Sequence, residues 1–497
     1  MPAPASHPSR ASRSADFGQW YLDVVRDAEL ASYAPVRGCI VVRPYGFALW
    51  EHVRDALDRR IKETGHENIY LPLLVPESLL ETEAEHVEGF SPQVAWVTHG
   101  GAAALTERLA IRPTSEAMVG AVYRDLIQSY RDLPVLVNQW ANVVRWELRT
   151  RPFLRTAEFL WQEGHTFHAS AAEAREEAER MLDVYREIWE EWLAIPTIRG
   201  RKSDAEKFPG AEVTLTGEAL MGDRRALQMG TSHDLGSNFA RAFDIRFLDR
   251  DNERRHPHGT SWGFSWRTIG AVIMVHGDQQ GLVLPPRIAP IHVVIVPIWR
   301  TADEQVAVDS ATTRVEALLR EQVVFGDQRI RVRIDRRDEV SPGYKFNHWE
   351  LRGVPIRLEV GPREIAAGAV VVSERVLETD STHAKASVPV DRLAADVAAR
   401  LERLQARLLE RAAVFQHANT HRVSGWDELV EVGAVQGGFL VTGWCGSAAC
   451  ERDVHAATGM TLRVLPFDGQ LKEIERPAVC VRCGAPASET AVFARAY

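Results

Sequence analysis

Apolar residues in the first part of the chain recur at helical and extended spacings. One side of the segment 16–34 carries apolar residues at helical spacing, which predicts a helix: Phe17, Trp20, Tyr21, Val24 and Val25. A strand that closes in a Pro-Tyr-Gly turn is predicted over residues 38–47, and an amphipathic helix follows and ends at Gly65. Residues 69–75 predict extended structure across Pro72, and a strand proline favours an edge or interface position.

Further along the chain, the pattern predicts a hairpin and then alternating elements. Two β-rich runs within residues 134–168 are joined by a basic turn, a helix is predicted over 171–193, and a strand feeding a helix over 262–281. The paired residues Pro285 and Pro286 predict a linker and a domain boundary, because proline cannot continue a helix. Beyond it, strands and helices alternate as in a small α/β domain, and a leucine-rich helix leads into a final domain.

Length and composition are those of a globular protein. The chain has 497 residues, 45% of them hydrophobic and 26% charged, enough for two to four domains. No apolar run reaches the roughly 18 residues of a membrane-spanning helix, so we expect a soluble protein without a membrane partner. The first fifteen residues are rich in Pro, Ser and Ala and have neither the apolar core of a signal peptide nor the amphipathic period of a transit peptide, so we expect a disordered tail over 1–15.

The net charge and the cysteines narrow the possible partners. With a formal charge of -9, any nucleic-acid contact needs a local basic surface. Four of the five cysteines lie in the last 53 residues, as Cys445-x4-Cys450 and Cys480-x2-Cys483. That spacing favours a metal site in a reducing compartment over a disulfide framework, although a metal-free reduced site or a regulatory disulfide also fits.

Common phosphate-binding and hydrolytic motifs are absent from the sequence. It contains no GxxxxGK[ST], no GxGxxG after a strand and no HExxH. A nucleotide would therefore have to be bound without a glycine-rich loop.

The predicted hairpin carries the most informative cluster of functional groups. Arg145 and Glu147 are two residues apart on its first strand and project together, and Phe159 and Glu163 share a face of the second. An arginine there, or Arg155 in the loop, can hold a phosphate, a carboxylate can accept from an adenine amino group, and a ring can stack on the base. The alternative is a surface hairpin with cross-strand ion pairs.

Three other segments offer ligand-binding side chains. Thr114 and Glu116 in LAIRPTSEAM can bind an ammonium group, or the segment is simply the N-cap of the next helix. In LQMGTSHDLG, His233 lies beside polar residues, where a structural histidine is the alternative. In SWGFSWR, Ser265 and Arg267 share a strand face, and Arg267 suits a triphosphate or is an ordinary surface residue.

The order of these pieces resembles motifs 1, 2 and 3 of the class II aminoacyl-tRNA synthetases. The runs VRGCIVVRPYGFALW, RPTSEA, NVVRWELRTRPFLRTAEFLWQEGHT, EKFPGAE, GTSHDLG and SWGFSWRTIGAVIMVHGDQQGLVLPPRIAP are similar to the prolyl-tRNA synthetase family of the archaeal and eukaryotic-like type, over roughly residues 16–497. The resemblance implies an α+β fold: an antiparallel catalytic sheet flanked by helices (16–286), an α/β anticodon-binding domain (287–394) and a small zinc-binding α/β domain (395–497). It also implies a cytoplasmic homodimer with Pro72 at the interface.

The implied activity is ligation of proline to tRNA(Pro). ATP, with Mg2+, and L-proline would form prolyl-adenylate and pyrophosphate, with Arg145 and Arg267 acting on the transition state, and proline would then pass to the tRNA 3′ end. Implied ATP-binding residues are Arg145, Glu147, Arg155, Thr156, Phe159, Gln228, Thr231, Ser265 and Arg267. Implied proline-binding residues are Thr114, Glu116, Arg145, Trp161, Glu163, His165, Phe208 and His233.

The remaining implied sites bind tRNA and zinc. Anticodon contacts map to Phe346, Glu350, Arg357, Arg363 and Glu364. Arg329, Arg331 and Arg333 alternate on one predicted strand face and offer a local basic surface, for which a solvated arginine ladder is the alternative. The four thiols Cys445, Cys450, Cys480 and Cys483 match a closed, structural Zn2+ site.

The family resemblance also bears on specificity and on rival functions. Only 98 residues separate Glu163 from Trp262, too few for the editing insertion of bacterial-type relatives, so we expect some alanine activation without correction in cis. A non-catalytic tRNA-binding or nucleotide-sensing paralogue would be expected to lose Arg145, Glu147 or Arg267, and all three are present. A different synthetase of the same subclass is a weaker alternative.

Overall fold

The computed structural model describes residues 10–86, 93–147, 149–375, 385–475 and 477–497. Its α-helices are α1 (Phe17–Asp27), α2 (Pro44–Glu63), α3 (Glu77–His86), α4 (Glu116–Leu126), α5 (Ala171–Glu187), α6 (Asn238–Ala242), α7 (Arg267–His276), α8 (Ala302–Glu321), α9 (Pro342–Leu351), α10 (Pro362–Ala366), α11 (Val390–Ala418), α12 (Trp426–Val435) and α13 (Ala448–Thr458). A π-helical turn, Ile188–Trp192, extends α5, and short 3-10 turns span Tyr130–Asp132 and Pro286–Ile288.

The strands fall into one large sheet, two smaller sheets and short pairs. The first twelve are β1 (Ala31–Tyr33), β2 (Ile40–Val42), β3 (Glu67–Asn68), β4 (Leu74–Pro76), β5 (Trp96–Gly100), β6 (Ala103–Ile111), β7 (Val135–Val144), β8 (Glu158–His168), β9 (Ile198–Arg201), β10 (Val213–Leu220), β11 (Ala226–Gly236) and β12 (Phe247–Leu248). The others are β13 (Arg254–Arg255), β14 (His258–Ser265), β15 (Val293–Pro297), β16 (Val323–Val324), β17 (Gln328–Arg329), β18 (Val332–Ile334), β19 (Ile356–Val360), β20 (Ala369–Glu374), β21 (Lys385–Pro389), β22 (Thr420–Arg422), β23 (Phe439–Trp444), β24 (Thr461–Pro466) and β25 (Glu489–Ala494).

Two of the predicted N-terminal elements have different bounds. Helix α1 ends at Asp27 and not at residue 34, because Glu29 takes a left-handed backbone with φ 55° and β1 follows. The predicted Pro-Tyr-Gly turn is wrong: Pro44 is the first residue of α2, a position where its fixed φ and missing N–H cost nothing.

Pro72 lies outside the strands. The predicted extended segment 69–75 is broken, since β3 ends at residue 68 and β4 begins at residue 74, and Pro72 is exposed between them. The prediction of an edge strand across this proline is therefore wrong.

The expected N-terminal tail does not extend to residue 15. Arg10 forms an ion pair of 2.8 Å with Asp27, and the backbone N–H of Arg13 donates to the side chain of Gln279. These bonds hold Arg10 against α1 and Arg13 against the segment after α7, while residues 1–9 lie outside the described residues.

The large sheet has eleven strands in the order β22-β23-β25-β24-β9-β10-β11-β14-β8-β7-β3. The hairpin predicted for residues 134–168 is confirmed as β7 and β8, next to the β3 end of the sheet, and the strand predicted to feed a helix is β14 followed by α7. Neighbouring strands are antiparallel except at the two ends, where β3 pairs with β7 and β22 with β23 in parallel. The sheet therefore runs from the region of the class II motifs into the cysteine-bearing region without a break.

A pair of glycines lets the helical layer approach this sheet. Gly217 on β10 and Gly230 on β11 are cross-strand partners. The indole of Trp189, in the π-helical turn after α5, lies so close to both that a Cβ on either glycine would press into the ring. Trp189 is fully buried in the main apolar core.

The second domain is built on a five-stranded mixed sheet of order β18-β15-β19-β20-β21. The predicted alternation of strands and helices is confirmed, and α11 then runs unbroken from residue 390 to residue 418. The predicted linker around Pro285 and Pro286 is buried, and it continues into the 3-10 turn.

The prediction that three arginines alternate on one strand is wrong, because Arg329 ends β17, Arg333 lies on β18 and Arg331 lies between these strands. Arg331 turns inward and donates to the carbonyl oxygens of Ala289 (2.8 Å), Pro286 (3.1 Å) and Arg287 (3.2 Å). Burial lowers the pKa of Arg331 to about 10. Its role in this structure is to tie the linker to the second domain, and only Arg329 and Arg333 remain exposed.

Across the described ranges, none of the helices combines the length and apolar character that crossing a bilayer requires.

The glycine pair gives a prediction for stability. Gly217→Ala should lower the free energy of unfolding by about 1 to 3 kcal/mol, because the added methyl group overlaps Trp189 in a packed core. Thermal unfolding should show the loss as a lower midpoint. Gly343→Ala in the first turn of α9 is the matched control, because the nearest atom to its Cβ is 4.0 Å away. Equal midpoints for the two variants would contradict the packing argument.

Candidate active site

A cavity of about 330 Å3 opens on the large sheet. Alternate residues of β8 line it, as the two-residue period of a strand requires: Phe159, Trp161, Glu163 and His165. Strands β10, β11 and β14 supply much of the remaining wall. Every predicted proline-binding residue lines this cavity, and so do Phe159, Gln228, Thr231, Ser265 and Arg267 of the predicted ATP-binding set.

Glu163 is a buried carboxylate at one part of the cavity. Its Oε1 accepts from the hydroxyl of Ser115 (2.5 Å) and the amide of Gln139 (2.8 Å), and its Oε2 lies 3.3 Å from Nε2 of His165. Burial opposes ionisation of Glu163, but these hydrogen bonds outweigh it and lower its pKa. Burial likewise opposes charging of His165, but Glu163 and Glu116 raise its pKa.

Glu116 adds a second carboxylate beside this group. It is the first residue of α4, it lines the cavity, and it accepts a hydrogen bond from the hydroxyl of Thr114. Ser115 occupies the N-cap position, but its hydroxyl donates to Glu163 and caps nothing. The simple N-cap interpretation is therefore wrong, and the carboxylates provide a place for a cationic amine.

His233 is neutral and faces an aromatic ring. Its Nδ1 lies 2.9 Å from the hydroxyl of Thr214 and its Nε2 lies 3.0 Å from that of Thr231. Burial lowers the pKa of His233 to about 3. The ring of Phe208 lies 4.6 Å from that of His233, so these side chains form an apolar wall next to the carboxylates.

Arg145 lies between the carboxylates and the second arginine. Its guanidinium lies over the rings of Phe159 (5.5 Å) and Trp161 (5.4 Å), and its Nε donates to the carbonyl of Pro113 (3.2 Å). Lost solvation lowers the pKa of Arg145, and the charges of Glu116 and Glu163 act against this.

Arg267 begins α7 at the wall of the cavity. Its Nε donates to the carbonyl of Leu154 at 3.1 Å, which fixes the guanidinium against the loop between β7 and β8. Burial and the charge of Arg145 lower the pKa of Arg267 to about 10. This arginine is not an ordinary surface residue, since it supplies positive charge inside the cavity.

Three predicted ATP-binding residues lie outside the cavity lining. Arg155 and Glu147 pair with each other across the hairpin loop, with Nη2 and Oε2 2.6 Å apart, as the cross-strand alternative expects. The hydroxyl of Thr156 donates to the carbonyl of Glu158 at 2.7 Å.

Some cavity residues were not singled out from the sequence. Lys202, Glu206 and Lys207 line it from the segment after β9, and Ser261 and Trp262 from β14. The two-residue period of β14 through Ser265 could have identified Ser261 on the same face. No local pattern identifies Lys202, because its position depends on residues far along the chain.

The predicted anticodon residues fall into two groups. The guanidinium of Arg357 lies 4.2 Å from the ring centre of Phe346, and Arg357 and Glu350 line one small recess. Arg363 and Glu364 lie on α10, beyond the other end of β19, so roughly 10 Å of strand separates them from Arg357.

The four C-terminal cysteines converge. Their sulfur atoms all lie within 4.8 Å of one another, and Cys445 is 3.7 Å from both Cys450 and Cys483. A tetrahedral zinc ion with Zn–S bonds of about 2.3 Å places its sulfurs about 3.8 Å apart. Burial, reinforced by the neighbouring sulfurs, raises the pKa of Cys450 to about 12. A bound cation would favour the thiolate form of these cysteines. The donor set fits zinc.

Comparisons with known proteins cover most of the chain. Family models match for the tRNA synthetase class II core domain (G, H, P, S and T) at residues 101–276, the anticodon binding domain at 292–400 and the prolyl-tRNA synthetase C-terminal domain at 426–497. Proline–tRNA ligases from Rubrobacter xylanophilus and Natranaerobius thermophilus are 53% and 51% identical to it, covering 98% of this chain and 98% and 97% of their own.

The same likeness extends to solved structures. Prolyl-tRNA synthetase from Cryptosporidium parvum, solved with halofuginone and AMPPNP, superposes with a TM-score of 0.89 at 37% identity, covering 98% of this chain and 96% of its own. Sequence identity this high over nearly the full length of both chains shows common family membership and not only a common fold. The chain therefore belongs to the prolyl-tRNA synthetase family, enzymes of the class II aminoacyl-tRNA synthetases.

Proposed function

We propose that this chain activates L-proline with ATP and Mg2+ and transfers the prolyl group to tRNA(Pro). The observation that carries the proposal is the arrangement of charges within one cavity. Glu116 and Glu163 lie on one side of Arg145, and Arg267 lies on its other side. Such a cavity can hold a cationic amine and a polyphosphate at once, which amino-acid activation requires.

The secondary ammonium of proline binds at Glu116, Thr114 and Glu163. The hydrogen bonds of Glu163 keep it ionised in spite of burial, so its carboxylate can pair with the ammonium group of proline without first changing its protonation state. The five-membered ring packs against Phe208 and the neutral His233, with Trp161 and His165 completing the pocket.

Arg145 is placed to bridge the two substrates. The carboxylate of proline attacks the α-phosphorus in line, and pyrophosphate leaves. The attacking group is already ionised, so the step needs no general base, and positioning with electrostatic stabilisation supplies the catalysis. Arg145 binds the α-phosphate and the proline carboxylate, and Arg267 binds the triphosphate.

The loop between β7 and β8 supplies the remaining nucleotide contacts. Phe159 stacks on adenine, Glu147 accepts from its amino group, and Arg155 binds the outer phosphates, so the ion pair between Arg155 and Glu147 separates when ATP enters. Gln228, Thr231, Ser265 and Thr156 complete the set. The Cryptosporidium relative is complexed with AMPPNP, which supports nucleotide binding by this chain.

The second domain reads the anticodon. Phe346 stacks on a base, and Glu350 and Arg357, beside it, bond to base edges, as do Arg363 and Glu364 further along. The match to the anticodon binding domain model supports this assignment.

We assign the chain to the archaeal and eukaryotic-like type of the family. The structure describes every residue of the segment 164–261, which lies between the two catalytic motifs. Elements α5 to β13 of the catalytic layer occupy this segment, and it contains no inserted domain. The domains proposed are 16–286, 287–394 and 395–497, the last with zinc on its four cysteines.

A homodimer in the cytoplasm is the proposed assembly. Pro72 lies between Tyr70, which is 74% exposed, and Leu74, which is 37% exposed, so the segment after β3 presents apolar surface for a second copy. Unpaired thiols as metal ligands suit the reducing cytoplasm. A paralogue without catalysis is not favoured, because Arg145 and Arg267 keep their places in the cavity.

Removal of Arg145 tests the activation step. In proline-dependent ATP-pyrophosphate exchange, Arg145→Ala should lower kcat/KM by at least about a hundredfold, because the site loses its main charge on the α-phosphate. Arg124→Ala on the exposed surface of α4 is the control and should match the wild type. Absence of exchange by the folded wild-type protein with any amino acid would contradict the proposed function.

Alanine tests the specificity of the pocket. Because missing methylenes are worth only about 1 to 3 kcal/mol each, alanine should support measurable exchange, and alanyl-tRNA should persist. The measurement is exchange with alanine, followed by incubation of preformed alanyl-tRNA with the chain alone. Rapid hydrolysis of that alanyl-tRNA would show an editing activity that this assignment excludes.

Metal analysis tests the cysteine cluster. The purified protein should carry about one zinc per chain, and Cys480→Ser should lose it and lower the midpoint of thermal unfolding, since binding energy at a structural site contributes to folding. Cys39→Ser, outside the cluster, should retain the metal. Wild-type protein without metal but with full stability would point to the metal-free reduced site.

A further inference from the structure

A buried charge cluster joins the C-terminal domain to the cavity wall. Glu218 on β10 is fully buried, and its carboxylate accepts from Nζ of Lys202 (2.7 Å) and from Nε of Arg463 (3.0 Å). Nη2 of Arg463 also lies 3.2 Å from Oε1, so that arginine engages both oxygens. Arg463 belongs to β24, some 245 residues away from Glu218 in sequence.

The hydrogen-bonded cluster contains two cations and one carboxylate, and burial of an uncompensated charge is costly unless an anion is supplied. The buried carboxyl group of Glu451 also acts on Lys202 from outside these hydrogen bonds, but burial raises the pKa of Glu451 and so favours its neutral form. Burial lowers the pKa of Lys202 even though Glu218 opposes this, as expected when the carboxylate is shared with Arg463. Glu206 also acts on Lys202, but it is exposed and its charge is screened by solvent.

Lys202 is the member of the cluster that lines the cavity, with a side chain that is 2% exposed, whereas neither Glu218 nor Arg463 lines it. Two of its three ammonium protons go to Glu218 and to the carbonyl of Arg463 (2.8 Å), and within the described ranges the third has no protein acceptor. Glu218 and Arg463 both act electrostatically on Arg267, which places the cluster on the arginine side of the cavity and away from Glu163.

We propose that Lys202 binds the polyphosphate of ATP, and that Arg463 is a positioning residue of the C-terminal domain that keeps Glu218 from neutralising Lys202. The inference rests on the proposed function, since it adds a phosphate ligand to the same reaction. It makes the C-terminal domain a contributor to nucleotide binding.

The charges of the cluster predict an unusual pattern of variants. Lys202→Met leaves the Glu218 and Arg463 pair intact, so the variant should fold, and its KM for ATP in proline-dependent exchange should rise about tenfold to a hundredfold with little change in the KM for proline. Arg463→Met leaves Glu218 paired with Lys202 alone, so the KM for ATP should rise likewise. Glu218→Gln added to Arg463→Met restores a free ammonium, and the KM for ATP should return toward the wild-type value.

A merely structural role predicts the opposite for the double variant, which would be at least as impaired as Arg463→Met. Arg422→Met, an exposed position of the same domain, is the matched control and should leave both KM values unchanged. Arg463→Lys keeps the charge and should retain most of the ATP affinity. Zinc content and thermal unfolding report whether each variant is folded.

Failure of this inference is distinguishable from failure of the proposed function. Wild-type exchange with no change in Lys202→Met, or a double variant no better than Arg463→Met, overturns the role of the cluster and leaves the activity standing. Unchanged exchange with a raised KM for tRNA in aminoacylation assigns Lys202 to a tRNA phosphate and overturns the ATP assignment. If Arg463→Met does not fold, Lys202→Met decides alone.

Discussion

The candidate site depends on keeping one buried carboxylate charged on strand β8. Glu163 is nearly inaccessible to solvent, and an unpaired charge there would be expelled or neutralised. Ser115, Gln139 and His165 come from three successive parts of the chain and satisfy it together. The same bonds fix the start of α4, and with it Glu116, so a single buried network orders the side of the cavity that carries the two carboxylates.

On the other side of the cavity, the continuous sheet holds the wall in place. Strand β24 of the C-terminal domain pairs with β9, with Leu465 opposite Arg201, and the missing side chain of Gly200 allows the close approach of the two backbones. The last residue adds a second tie, since the hydroxyl of Tyr497 donates to Asp223 at 2.5 Å and its ring lies beneath the guanidinium of Arg151 in the hairpin loop. The cysteine-bearing region is thus joined to the cavity wall by backbone pairing, by an ion pair and by a ring contact.

Much of the candidate site could be predicted because the spacing of residues along single strands determines which side chains share a face. The alternation along β8 placed Phe159 and Glu163 on one face, and the strand before α7 placed Arg267. The errors share a physical cause, which is that sequence spacing says nothing about distant partners. Arg331 has the spacing of an exposed ladder, yet its guanidinium turns inward and donates to three carbonyls of the linker. Lys202 gave no signal, since its environment is made by Arg463, 261 positions further along the chain.

The pair formed by Arg155 and Glu147 shows how the same loop fits two descriptions. Without a nucleotide it is a cross-strand ion pair, and the Arg155 side chain is 54% exposed. Exposed pairs of this kind contribute about 0 to 1 kcal/mol, so exchanging the partner costs little. A triphosphate offers Arg155 more negative charge than one carboxylate does, and adenine offers Glu147 a donor. The ion pair therefore contributes so little free energy that a nucleotide could displace it, and the surface-hairpin interpretation is compatible with the proposed nucleotide site.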